Sequence, residues 1–144
     1  MRDSDETGFL IRPCRAAEAE GILELWRQAD ATPSVTDNAD AVERVITEFP
    51  AHVLVAEVEG RIVGSIIGTF DGWRGNIYRL AVDPRYRRRG IARALVAEIE
   101  KRLRGQGVKR ITALVEKNHP QPMSFWEAVG YQVDERIVRR VRSL

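Results

Sequence analysis

A single cysteine, Cys14, and two histidines, His52 and His119, are all that the 144 residues hold of those two types. One thiol cannot close an internal disulfide, and neither histidine stands at metal-ligand spacing from it, so a disulfide scaffold is excluded, no metal is expected, and Cys14 reads as a packing residue. Long apolar runs are missing too. A membrane-spanning helix needs about 20 such residues, and the charged start Met1-Arg2-Asp3-Ser4-Asp5-Glu6 lacks the apolar stretch of a signal peptide. Repeats, low-complexity tracts and interdomain linkers are absent as well. The expectation is a soluble cytoplasmic protein of one domain, residues 1–144, with 1–8 as a flexible tail and 44% hydrophobic residues to build its core.

The net charge of +2 hides a division. Residues 1–60 carry 5 Lys/Arg against 13 Asp/Glu, whereas residues 61–144 carry 18 against 8. The second half is therefore suited to face an anion, and both nucleic acid and a phosphorylated cofactor qualify. Against nucleic acid, the basic cluster 85–89 has only Tyr86 interleaved, and no helix-turn-helix or RNA-binding motif is present.

Periodicity supplies the elements. Phe9–Arg12 reads as a strand and Arg15–Gln28 as a helix with Ile22, Leu25 and Trp26 on one face, which makes Trp26 a core residue. Asp40–Phe49 reads as a second helix, and Val53–Val58 with Arg61–Phe70 as a hairpin about Glu59-Gly60. Asp71-Gly72-Trp73-Arg74-Gly75 turns the chain into a strand from Asn76 to Val82. Ile91, Leu95, Val96, Ile99 and Leu103 recur at helical spacing, and Gly105 and Gly107 end that helix. Arg110–Glu116 is strand-like, Pro122–Val129 a short helix, and Tyr131–Glu135 and Ile137–Val141 two last strands. The order implies an α+β fold around one mixed sheet.

One segment carries chemistry. Arg87-Arg88-Arg89-Gly90-Ile91-Ala92 lies between the strand ending Leu80-Ala81-Val82 and the helix to Leu103. A helix start leaves its first amides unpaired and partially positive, and Gly90 removes the side chain that would hold an anion away from them. These residues spell Arg-x-x-Gly-x-Ala after Leu-Ala-Val-Asp-Pro. Together with Leu10-Ile11-Arg12-Pro13, the hairpin 53–64 and Ser124-Phe125-Trp126-Glu127-Ala128-Val129-Gly130-Tyr131, in that order, they resemble the GNAT acetyltransferases, and most nearly the small bacterial YpeA-like type.

The resemblance implies the GNAT acyl-CoA N-acyltransferase fold, a single mixed, mostly antiparallel sheet flanked by about four helices. It implies acetyl-CoA as acetyl donor, with pantetheine against Leu80, Ala81 and Val82, phosphates against Arg87, Arg88, Arg89, Gly90, Ile91, Ala92 and Arg93, and a further contact from Asn118 or His119. Trp126 falls where many members carry the tyrosine that protonates the departing thiolate, and an indole has no such proton to give. An acidic residue usual on the fourth strand is replaced around Tyr78-Arg79, and a glutamate of the fifth falls at Ala113. The expected catalytic set is the Val82 amide as oxyanion donor with Trp126, Tyr78 and Tyr131; Glu57 and Glu116 are further candidates for assistance. Trp73, Arg74, Tyr78 and Arg79 fall where the acceptor approaches, and two arginines there suit either a carboxylate-bearing acceptor or a salt-bridged rim. The implied activity is acetyl transfer to a primary amine by direct attack in a ternary complex. Protein N-terminal or lysine acetylation, a non-catalytic acetyl-CoA sensor and a nucleic-acid module are the alternatives, and homodimers are common in the family.

Overall fold

The computed structural model describes residues 8–48, 52–117 and 123–144. Strands β1 (Leu10–Pro13), β2 (His52–Val58), β3 (Arg61–Phe70) and β4 (Gly75–Val82) are successive antiparallel neighbours, and β5 (Ile111–Ala113) runs parallel to β4 at the end of the sheet. Glu59 and Gly60, at φ 49° and 81°, make the turn between β2 and β3, where two left-handed residues match the twist of the strands they join. Helices α1 (Ala19–Gln28) and α2 (Ala39–Thr47) cover one face; α3 (Ile91–Gly105) and α4 (Met123–Ala128) cover the other. Asn38 starts α2 by accepting the Ala41 amide at 2.9 Å.

Each face has its own core. Ile22, Leu25, Trp26 and Val42 pack on Val53, Val55 and Ile67, while Leu95, Ile99 and Leu103 pack on Leu54, Ile66 and Ile77. The second contact is unusually close. A Cβ built on Gly68 would lie 2.4 Å from Cγ1 of Ile99, so the absence of a side chain at that position of β3 lets α3 settle on the sheet. Cys14 is buried, and burial pushes its thiol up to about 11, which leaves it protonated and inert as a packing residue should be. Arg12 on β1 ties the edge together. It donates to Glu57 on β2 (2.8 Å) and, through both terminal nitrogens, to Glu18 (2.8 and 2.7 Å) in the 3-10 turn Ala16–Glu18 that leads into α1.

Three expectations need correction. The first helix begins as that 3-10 turn, where the Glu18 carboxylate accepts the Arg15 amide as in a capping box, and becomes α-helical only at Ala19. Strand β5 covers 111–113 rather than 110–116, since its only ladder partner, β4, diverges from it after Ile77. Residues 131–144 form no strand: the run turns at Asp134–Ile137, and Val133, Ile137, Val138 and Val141 are exposed. Alternating apolar residues prescribe two faces, but they become a strand only where a neighbouring strand supplies the hydrogen bonds.

Two predictions follow from these contacts. Gly68→Ala forces Ile99 and α3 off the sheet and is expected to lower stability by about 1–3 kcal/mol, read as a fall in urea midpoint with unchanged slope. The Arg12 hydrogen bonds hold the Glu18 carboxyl at about 2, below its ordinary 4.5. A depressed carboxylate stabilises the fold above its unfolded value and loses that contribution as pH falls toward the folded one. Thermal melts of the parent chain should therefore decline from about pH 5 to pH 2, while Glu18→Gln, about 1–3 kcal/mol less stable at pH 7, should show a shallower decline. Parallel pH profiles for the two proteins would remove Glu18 from the account.

Candidate acetyl-transfer site

The site begins where β4 and β5 part. They are in register from Gly75↔Ile111 to Ile77↔Ala113, and the last link is the Leu114 amide to the Ile77 carbonyl at 3.1 Å. Immediately beyond, β4 bulges. Tyr78 opposes Ile67 and Ala81 opposes Ser65, so Arg79 and Leu80 together face the single residue Ile66. Arg79 takes φ 54°, a left-handed conformation uncommon for a side chain of its size. One extra residue changes the alternation, so Tyr78 and Arg79 both turn toward α1 and α2 while Ile77 and Leu80 remain with the α3 core.

Several groups hold the bulge. The Ser65 hydroxyl donates to the Arg79 carbonyl at 3.0 Å, and the Trp26 indole N–H donates to the Ser65 oxygen at 3.0 Å. The Arg79 guanidinium lies 5.0 Å over the Trp26 ring and donates to both oxygens of Asp37 at 2.8 Å. Its other terminal nitrogen is 3.6 Å from Glu116, whose carboxylate also accepts the Thr32 amide at 2.8 Å. Arg79 thus spans the gap between β4 and the chain leaving β5. The resulting cleft has a volume of about 1100 Å³, with Trp26, Tyr78, Leu80, Leu114, Glu116 and Trp126 among its walls and Arg139 and Val141 of the C-terminal segment at its margin.

At the end of β4 the Asp83 amide donates to Val63 on β3 at 2.8 Å, so by strand alternation the preceding Val82 amide faces away from β3, toward the fork. Asp83 is buried, and the Arg85 guanidinium holds its carboxyl below the usual range while its oxygen caps the turn Pro84–Tyr86. The basic loop follows. Arg88 and Gly90 take φ 64° and 82°, nothing lies within 4 Å of where a Gly90 Cβ would stand, and α3 opens without a side-chain cap. The first amide in this helix to reach a carbonyl is that of Ala94, bonded to Gly90 at 3.0 Å, so those of Ile91, Ala92 and Arg93 point outward. Arg87 Nε is buried without a hydrogen-bond partner, Arg89 stacks on Tyr86 at 4.9 Å, and Arg93 is exposed on the first turn. An orphaned guanidinium nitrogen, open helix amides and a bare glycine are the complement of a pyrophosphate, so these residues fit the phosphate end of acetyl-coenzyme A.

The structure places Tyr78, Leu80, Ala81 and Trp126 in the walls of the cleft, while Val82 and residues 87–93 follow at the end of β4 and the start of α3, outside its lining. Asn118 and His119 lie outside the described residues. Tyr131 makes an edge-on contact with Trp126 at 5.2 Å, but its hydroxyl donates to Glu100 on α3 at 2.6 Å and does not line the cleft; burial and that carboxylate push its pKa up. Glu57 is spent on Arg12. Trp73 and Arg74 stack on each other at 4.1 Å in the exposed turn before β4, at the closed end of the fork, and take no part in the cleft. Sequence reasoning missed Ser65 and the polar edge of Trp26; a serine within the apolar run Ile62–Ile67 was the available signal.

A sequence profile of the acetyltransferase (GNAT) family matches residues 19–131. An acetyltransferase of Sodalis glossinidius is 37% identical over 128 residues, 89% of this chain and 90% of that protein, and one of Photorhabdus laumondii is 39% identical over 123 residues, 85% of each. Among solved structures, the PaiA N-acetyltransferase of Thermoplasma acidophilum in complex with coenzyme A superposes with a TM-score of 0.76 at 18% identity, over 88% of this chain and 91% of that one. The aminoglycoside 6'-N-acetyltransferase AAC(6')-Ih of Acinetobacter baumannii does so with a TM-score of 0.75 at 18% identity, over 95% and 99%. Fold, cradle and relatives agree: the chain belongs to the acetyltransferase (GNAT) family, with acetyl-CoA as its acetyl donor.

Proposed function

We propose that this protein is a cytoplasmic N-acetyltransferase that moves the acetyl group from acetyl-CoA to a primary amine by direct attack in a ternary complex, with residues 1–144 acting as one domain. The observation that carries the reading is the start of α3, which opens without a side-chain cap behind a left-handed Gly90 and follows in the chain the strand that parts from β5. Acetyl-CoA supplies an activated thioester carbonyl when bound. Arg87 to Arg93 hold its phosphates, and Leu80 to Val82 line its arm. The Val82 amide is a fixed donor for the oxygen on which negative charge grows, and a donor fixed before reaction needs no reorganisation. The amine enters from the α1–α2 side past Tyr78, with Trp126 of α4 forming the cleft wall from the other face. Glu116, held in place by the Thr32 amide, is the carboxylate suited to take the amine proton through water. A general-acid tyrosine is not required, because alignment of amine and thioester supplies a large share of the rate.

The carboxylate-bearing acceptor loses its support. Arg79 is neutralised by Asp37 and Glu116, and Arg74 stands outside the cleft. Small amines and peptide amines both suit an open cleft of this size. The exposed Val133, Ile137, Val138 and Val141 support a homodimer contact through the C-terminal segment.

An amine panel of amino acids, polyamines, aminoglycosides and peptides, read by release of free thiol, tests the activity. Gly90→Glu places a carboxylate in the anion seat and should abolish acetyl-CoA binding, whereas Arg85→Ala, which removes a partner only of Asp83, should leave it nearly intact. Arg87→Ala is expected to fall between, weakening binding by about 1.5–3 kcal/mol. Equal affinities in all three would put the phosphates elsewhere. Trp126→Phe should lower turnover with acetyl-CoA affinity kept, and Trp126→Tyr should retain or raise it. If the parent chain binds acetyl-CoA yet stays silent with every amine while Trp126→Tyr turns over, the protein is a sensor.

A further inference from the structure

We infer that Ser65, oriented by Trp26, is the positioning residue that sets the donor-facing backbone of β4, a role that rests on acetyl-CoA lying along Leu80–Val82. Ser65 is completely buried in a strand whose neighbours are Gly64 and Ile66, so its hydroxyl has no solvent to turn to. A buried hydroxyl is costly unless bonded, and this one is bonded twice. It accepts from the Trp26 indole N–H and donates to the Arg79 carbonyl. A hydroxyl has a single proton, so the bond received from Trp26 leaves that proton committed to Arg79.

The carbonyl so held belongs to the left-handed residue of the bulge. Its peptide plane fixes the direction in which Leu80, Ala81 and Val82 continue, and therefore where the Val82 amide points. The Arg79 side chain is anchored separately, by Asp37, Glu116 and the Trp26 ring. Side chain and carbonyl are thus pinned from two directions, and only the second pin bears directly on the backbone of 80–82. The phosphate loop hangs from other contacts: the Asp83 amide to Val63, and the Arg85 backbone amide to the Asp83 carboxylate. Loss of the Ser65 hydroxyl should therefore misplace the segment that lines the pantetheine arm and leave the phosphate seat as it was.

That separation gives the test. Isothermal titration compares acetyl-CoA with 3′-phosphoadenosine 5′-diphosphate, which carries the phosphates but no pantetheine. In Ser65→Ala, acetyl-CoA should bind about tenfold more weakly while the nucleotide stays within about twofold of the parent chain. Trp26→Phe keeps the ring and removes the N–H, so it should shift affinities the same way by a smaller factor, and it carries the test should Ser65→Ala not fold. In the free protein, amide hydrogen exchange of Ala81, which pairs with Ser65 across the ladder, should quicken in both variants while that of α3 does not change. Unchanged acetyl-CoA affinity, or equal loss of both ligands, would overturn the assignment, the latter by showing a general weakening of the core. Failure of the parent chain to bind either ligand would refute the acetyl-CoA reading instead, and the exchange rates would still decide whether Ser65 sets the backbone of β4.

Discussion

The cleft depends on one residue, Arg79, standing out of regular strand geometry with its carbonyl held by Ser65. A β4 that continued in register would keep its ladder with β5 beyond Ile77, and no cleft would exist. The left-handed residue that prevents this costs on the order of 1–3 kcal/mol where it is not glycine. Arginine is an informative choice for the position. Its long side chain turns a strained backbone into an anchor, reaching Asp37 from the loop before α2, Glu116 beyond β5 and the ring of Trp26. Strain in one residue is thereby distributed among three elements that must all be in place for the fork to stay open.

The charge division of the chain acquires a spatial meaning in this light. The acidic half supplies α1, α2 and the loop carrying Asp37, which lie over the face on which Tyr78 and Arg79 stand; the basic half supplies the loop 85–93 at the end of β4. Arg79 is where the two halves meet, a cation of the second half held by an acid of the first. Since that pair is mostly buried and doubly hydrogen-bonded, it is less screened than a surface pair. It acts as a fastener for the cleft wall and leaves no free charge at that point for a substrate.

Most of the frame was legible in the sequence for identifiable reasons. Ile91, Leu95, Ile99 and Leu103 had only one way to bury a common face, and Glu59-Gly60 could serve only as a tight turn between apolar runs. The anion seat was legible because it depends on local chemistry: glycine, arginines and a helix start within a few residues. The bulge was hidden, since Ile77-Tyr78-Arg79-Leu80 reads as an ordinary strand and the residues that deform it stand far away in the sequence. Ser65 was hidden for the same reason. The final strands were misjudged in the opposite sense, because Val133, Ile137, Val138 and Val141 alternate correctly and yet have no adjoining strand.

A last consequence concerns how such a site can work without an acidic tyrosine. Trp126 offers shape, and Tyr131, where the motif closes, has its hydroxyl fastened to Glu100. Among the described residues, neither Trp126 nor Tyr131 offers the cleft a free hydroxyl, which leaves weight on groups that do not titrate, the backbone amides. A backbone donor is sensitive to small displacements of the main chain, since a donor moved by about 1 Å loses most of its benefit. The Ser65 hydroxyl, buried and bonded both to Trp26 and to the Arg79 carbonyl, is placed to resist such displacements of β4.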